Sequence, residues 1–202
     1  QLGDEVVSVL HSFVELCFEM LQCIIHGDSS NQLYLADNFT VLVPFLDMSE
    51  LAMRCMNEML ANNMEVQEKK ITQSVLDQFI AMLRDSTMNY TILSVLRAIC
   101  SCQGQGIDSN QTMLATLLLI QGQDLLIQTR ENEVNSNELK VLCPSEVNEI
   151  SLESLHGRSE KYFVAQLYTF AEMCYDRNYI AMSILHEMLP YSVLIKISKS
   201  EG

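Results

Sequence analysis

Apolar residues recur at helical spacing along most of this chain. Val6, Val7, Leu10, Phe13, Val14, Leu16, Cys17, Met20, Leu21, Ile24 and Ile25 fall at i, i+3, i+4 and i+7. That spacing predicts a long amphipathic helix with a broad apolar face, stopped at His26-Gly27. A second helical segment is expected over 31–46, with Pro44 near its end. Ser49 caps a helix over 50–61 that stops at Asn62-Asn63, and Thr72 caps one over 73–83. The buried stripe of the latter is Val75, Leu76, Phe79, Ile80 and Leu83, and Asp85-Ser86 breaks it. Residues 88–102 repeat the pattern with Ile92, Leu93, Val95, Leu96, Ile99 and Cys100. A loop at 103–106 leads to a helix over 110–119, and 125–128 reads as a short strand or extended segment. Helices return over 160–175, 179–188 and 191–197.

The segment 130–158 differs in character. Arg130-Glu131-Asn132-Glu133 and Asn135-Ser136-Asn137-Glu138 are polar and Pro144 follows, so it reads as a linker or partly disordered loop. The apolar helix ends fall near Cys23, Leu60, Cys100 and Cys174, at intervals of 37, 40 and 74 residues. Ser30-Asn31-Gln32 recurs as Ser109-Asn110-Gln111, opening a helix each time. A period near 40 with paired helices predicts an all-α armadillo/HEAT-like solenoid of stacked helix pairs; an irregular helical bundle stays open. The expected organisation is helical repeats over 1–129, the polar linker over 130–158, and further helices continuing the stack over 159–202.

Composition agrees with helix: Leu and Met dominate, Pro and Gly are few and Trp is absent. Twelve Lys and Arg stand against 26 Asp and Glu, for a net charge of −14. Such a surface repels phosphate, which argues against nucleic acid, anionic lipid and polyphosphate ligands. Seven cysteines sit mostly within apolar stretches, with no C-x-x-C pair, as in a reducing compartment. The N-x-T triplets at Asn38, Asn89 and Asn110 fall within or at the start of helical patterns and read as chance matches. The longest apolar runs, such as 113–120, are well short of the ~20 residues that span a bilayer, so no membrane span is expected. The chain starts at Gln1 without Met and stops just after an apolar run, which reads as a piece of a larger protein.

No enzymatic chemistry is expected. His11, His26, His156 and His186 are dispersed and form no metal-ligand spacing. Cys100 and Cys102, taken as helical, point roughly 200° apart and cannot share a metal. Gly104-Gln105-Gly106 has no flanking strand and third glycine of a nucleotide fingerprint, and no P-loop, serine elbow or EF-hand loop occurs. No catalytic, cofactor or metal residue is nominated. Met53, Met56 and Met59 share one helical stripe and read as core rather than as an adaptable binding groove.

Several segments carry a resemblance. One runs from Lys69-Lys70-Ile71-Thr72 through Val75-Leu76-Asp77-Gln78-Phe79-Ile80. Another is Ile92-Leu93-Ser94-Val95-Leu96-Arg97-Ala98-Ile99-Cys100, followed by Ser109-Asn110-Gln111 and by Gln123-Asp124-Leu125-Leu126. The third is Gln166-Leu167, Phe170-Ala171, Met173-Cys174 and Asp176-Arg177. In this order and spacing they resemble the helical homology region shared by inositol trisphosphate receptors and ryanodine receptors. The resemblance implies a cytosolic helical regulatory arm of a tetrameric, ligand-gated calcium-release channel of the endoplasmic reticulum. The arm would touch other domains and subunits, without direct membrane contact, and carry movement from an amino-terminal ligand-binding region to the pore. A free-standing armadillo/HEAT-like interaction scaffold is the alternative.

The chain departs from the family in one place. Where inositol trisphosphate receptors carry a basic Tyr-Arg-Lys run before the Asn-Gln helix, this chain has His26-Gly27-Asp28-Ser29-Ser30. Phosphate recognition needs fixed positive charge, so no inositol phosphate binding is expected at Asp28, Ser29 and Ser30.

Overall fold

The computed structural model describes residues 2–46, 49–60, 62–135 and 138–200. Helix dominates, in α1 (Leu2–Ile25), α2 (Ser29–Ala36), α3 (Phe39–Leu42), α4 (Glu50–Leu60), α5 (Met64–Lys69) and α6 (Gln73–Asp85). It continues in α7 (Tyr90–Ala98), α8 (Asp108–Leu114), α9 (Arg158–Met173), α10 (Tyr179–Met188) and α11 (Tyr191–Ser200). Local chemistry sets the starts. Ser49 Oγ accepts from the Ala52 N–H at 3.1 Å and Thr72 Oγ1 from the Val75 N–H at 3.4 Å. Asp28, Asn63 and Asn178 cap α2, α5 and α10 in the same way, each cap contributing about 1 kcal/mol.

Three expected elements differ. The helix expected over 31–46 breaks at Asp37 and Asn38 into α2 and α3, and finishes as a 3₁₀ turn over Val43–Phe45. Pro44 sits in the first turn of that 3₁₀ segment, where its missing N–H costs nothing. The helix expected over 88–102 ends at Ala98. Beyond it β1 (Ser101–Cys102) pairs antiparallel with β2 (Gln105–Gly106). Gln103 and Gly104, both at positive φ, make the turn. Cys100 and Cys102 are therefore not on one helix, though both are buried. The polar segment 130–158 contains ordered strands: β3 (Gln128–Glu131) pairs with β4 (Leu139–Leu142), and β4 with β5 (Ile150–Ser151), all antiparallel. Leu139 and Val141 alternate inward and are buried, and α11 packs on β3 and β4.

The most extensive helix packing joins elements apart in the chain: α1 on α4, α4 on α7, and above all α7 on α9, with α2 and α5 also on α4. Met56, Met59, Leu76, Phe79, Ile92, Leu93 and Leu96 are fully buried in one continuous core, and Met53 nearly so. The methionine stripe is core. Helix α1 is the exception to this burial. Phe18 and Ile25 face the core, while Val9, Phe13, Leu16, Met20 and Ile24 on the other side are exposed. By length and composition, Val7–Ile25 is apolar enough to cross a bilayer, contrary to the expectation that no segment is. It contains no long apolar run. Its sparse charges give a whole helix a high mean hydropathy that run-counting does not register.

Candidate functional site

An α-helix leaves its last four carbonyls without partners. In this chain amide side chains, most of them buried, take up some of those carbonyls, and in doing so they join one helix end to the next. At the end of α1, Gln32 Nε2 donates to Ile25 O at 3.1 Å and Asn31 Nδ2 to Ile24 O at 3.0 Å. Gln32 Oε1 in turn accepts from Asn63 Nδ2 at 2.9 Å, and Asn63 also donates to Ser29 O. One turn on, Gln67 Nε2 donates to Leu60 O, the end of α4, at 2.8 Å. Asn110 Nδ2 then bridges Gln67 O and Ile99 O, both at 3.0 Å, closing the end of α7. Gln32, Asn63, Gln67, Asn110 and Gln111 are all buried. A buried amide without partners costs about 1–3 kcal/mol, so each of these bonds is bound to the packing around it. Gln67 Oε1 alone among these groups has no hydrogen-bond partner among the described residues.

The chain of amides reaches the far end of the molecule through Gln111. Its Nε2 donates to Glu172 O at 3.0 Å and Tyr175 O at 2.9 Å, at the end of α9. Asn178 Nδ2 returns the contact to Asp108 Oδ1 at 2.7 Å and Thr112 Oγ1 at 3.0 Å. Between them the β1–β2 hairpin sits tightly on the turn after α9. The Gly106 N–H donates to Asp176 Oδ2, and a Cβ on Gly106 would lie 2.9 Å from both Asp176 Cβ and Tyr175 O. Asp176 and Arg177 both adopt positive φ there, a strained turn held by these contacts. Farther along α9, Thr169 Oγ1 donates to Leu93 O, Tyr162 Oη to Leu125 O, and Gln166 exchanges two bonds with the Ile127 backbone.

A family model for the RIH domain matches residues 1–131. The chain belongs to the RIH-domain family of ryanodine and inositol trisphosphate receptors. The match ends with β3, yet the packed unit does not. Every one of these α9 and α10 contacts crosses from the matched residues to those beyond 157. Residues 158–178 thus form part of the same packed unit.

The loop with the missing bases is committed to structure. Asp28 Oδ1 accepts from the Asn31 N–H as the α2 cap, Ser29 O accepts from Asn63, and His26 Nδ1 lies 3.0 Å from Glu58 Oε1. Several cations elsewhere are held by carboxylates. Lys69 pairs with Glu65 and Arg84 with Asp124, each at 2.7 Å, and Lys70 pairs with Asp37. The Glu65 hydrogen bond holds the Lys69 ammonium above its ordinary pKa. A concavity of about 780 Å³ beside the α6–α7 turn is an open groove whose lining includes Glu50, Asp85 and Arg158. Among the described residues no three His, Cys, Asp or Glu side chains gather as a metal site.

Both copies of the Ser-Asn-Gln phrase prove to be clasps on helix ends, Asn31, Gln32 and Asn110 on preceding ones and Gln111 on the end of α9. Sequence reasoning missed Asn63, Gln67 and Asn178. Their only signal is a large amide placed beside apolar core residues at a helix start, as in Asn63-Met64 and Val66-Gln67.

Proposed function

We propose that this RIH domain is a non-enzymatic regulatory arm of an endoplasmic-reticulum calcium-release channel. It carries conformational change from an amino-terminal ligand-binding region towards the pore. The observation that supports this is the succession of buried amide clasps between Ile25 and Asn178, which hold the ends of α1, α4, α7 and α9. Helices that contact chiefly their neighbours can rotate slightly at each step and accumulate displacement, as a solenoid does. Fixed bonds at one end of each helix make that displacement directional, because the clasped ends act as pivots.

In this reading the arm lies on the cytosolic face of the membrane within a tetramer, and its partners are other domains and subunits of the channel. It has no inositol trisphosphate contact at Asp28, Ser29 and Ser30, where the only nearby imidazole is already engaged by Glu58. The test is ligand-evoked calcium flux through the full-length channel carrying Gln111→Met. The relay reading expects a right-shifted or reduced response at unchanged channel abundance. A response identical to the unsubstituted channel, with the arm's local stability demonstrably lowered, contradicts it.

A further inference from the structure

Helix α1 has 24 residues and is about 36 Å long. On its inner side Phe18 and Ile25 are buried against the domain. On the opposite side Val9, Phe13, Leu16, Met20 and Ile24 are between 53% and 68% exposed. Their separations of four, three, four and four residues are those of a coiled-coil seam, which selects a helix as the complementary shape. An end surface that simply meets water is polar in stacked-helix proteins, and a continuous apolar stripe of this length marks an interaction site. None of the described side chains from Val7 to Phe13 is buried, so the domain itself does not hold this half of the helix.

Charge selects the kind of helix. Asp4, Glu5, Glu15 and Glu19 lie in α1, and no Lys or Arg does. Glu19 is exposed and stands at the margin of the stripe, one turn from Leu16 and Cys23. Ser8, Ser12, Glu19 and Cys23 line that margin, and its charged member, Glu19, is complemented by Lys or Arg at the facing position of the partner. We propose that the outer face of α1 docks a basic amphipathic helix, its apolar seam on Val9, Phe13, Leu16, Met20 and Ile24 and its cations beside Glu19. Two copies of α1 would bring like charges together along the seam. A bilayer would receive Glu15 and Glu19 within the apolar stretch, on a chain of net charge −14. The docking stands independently of the relay, since it concerns the face turned away from the amide bonds.

The test is calorimetric titration of the full chain with a synthetic peptide of about three heptads, with Leu at the seam positions and Lys at the flanks. A twin peptide keeps the seam and carries Glu at the flanks. The expected result is micromolar binding of the basic peptide, weakening with salt, and at least about tenfold weaker binding of the twin. Phe13→Glu combined with Leu16→Glu abolishes binding at an unchanged melting temperature, because both side chains are exposed. Glu15→Lys combined with Glu19→Lys shifts preference towards the acidic twin. Equal affinity for the two peptides, or full binding by the Phe13→Glu, Leu16→Glu variant, overturns the proposal. So does sedimentation showing that the free chain dimerises, or co-pelleting with phospholipid vesicles, more strongly than it binds the basic peptide. Calcium flux in the Gln111→Met channel is read separately, so failure of one reading leaves the other standing.

Discussion

Replacing Gln111 by Met tests the amide run at its longest reach. The substitution keeps most of the side-chain volume and removes the donor that serves Glu172 O at 3.0 Å and Tyr175 O at 2.9 Å. A net loss of about 1 kcal/mol attends each intramolecular hydrogen bond, and more where the remaining partner stays buried. With two bonds lost and little cavity left, we expect a loss of about 2–4 kcal/mol. For a chain of this size that lowers Tm by roughly 4–15 °C, readable by circular dichroism with urea titration as a check. Tyr175→Phe is the contrasting control. Its hydroxyl donates to Gly104 O at 3.3 Å in an exposed position, and its removal should cost under about 1 kcal/mol. A Gln111→Met loss no larger than that of Tyr175→Phe would refute the idea that the buried amides, rather than apolar packing alone, fasten α9 to α8.

Leu96 is fully buried between Leu93 and Ile99, so Leu96→Ala should cost about 2–5 kcal/mol; an unchanged melting temperature would put it outside the core. Gly106→Ala should destabilise by about 1–3 kcal/mol, because its Cβ would meet Asp176 Cβ and Tyr175 O at 2.9 Å; a neutral result would show that the hairpin lifts freely. Exposed Cys23 should react with Ellman's reagent before buried Cys55 and Cys100, whose thiols burial pushes upward, Cys55 to about 11. Because the Cys55 folded-state value lies above the ordinary 9.0, its contribution to stability is complete below pH 9 and falls as pH rises through about 11; a Cys55→Ala variant that loses as much stability between pH 8 and pH 11 as the unsubstituted chain would contradict this. Calorimetry with inositol trisphosphate should show no submicromolar binding, since Lys69, Lys70 and Arg84 already hold carboxylates.

Long amphipathic helices were legible because one rule, a period of 3.6, decides them. The bounds of α10 and the caps at Ser49 and Thr72 followed from the residues themselves. The β1–β2 hairpin was not legible. Ile99, Cys100 and Cys102 are apolar enough to extend the α7 pattern, and the turn at Gln103-Gly104 wins only by docking on Tyr175 and Asp176, 70 residues away. The sheet was hidden for a related reason. Leu139-Lys140-Val141 alternates over too few residues to stand out from its polar surroundings, and its burial depends on α11. The Ser-Asn-Gln repeat was visible as a phrase, but its task needed the fold, because the acceptors are carbonyls that any sequence supplies. The empty face of α1 was unreadable in principle. An apolar stripe is written alike whether the same chain or another molecule covers it.

In a relay, displacement at one end of the row of amide clasps is felt at the other. Hydrogen exchange of the α10 backbone amides over 183–188, measured in an Asn63→Ala variant, tests that directly. The reference is Leu83→Ala, a core change outside the run, at denaturant conditions that match the two variants in global stability. The account predicts that Asn63→Ala accelerates α10 exchange about tenfold more than the reference, equivalent to ~1.4 kcal/mol of local stability. Equal α10 protection in the two variants, with the Asn63→Ala effect confined to α2 and α5, would contradict it.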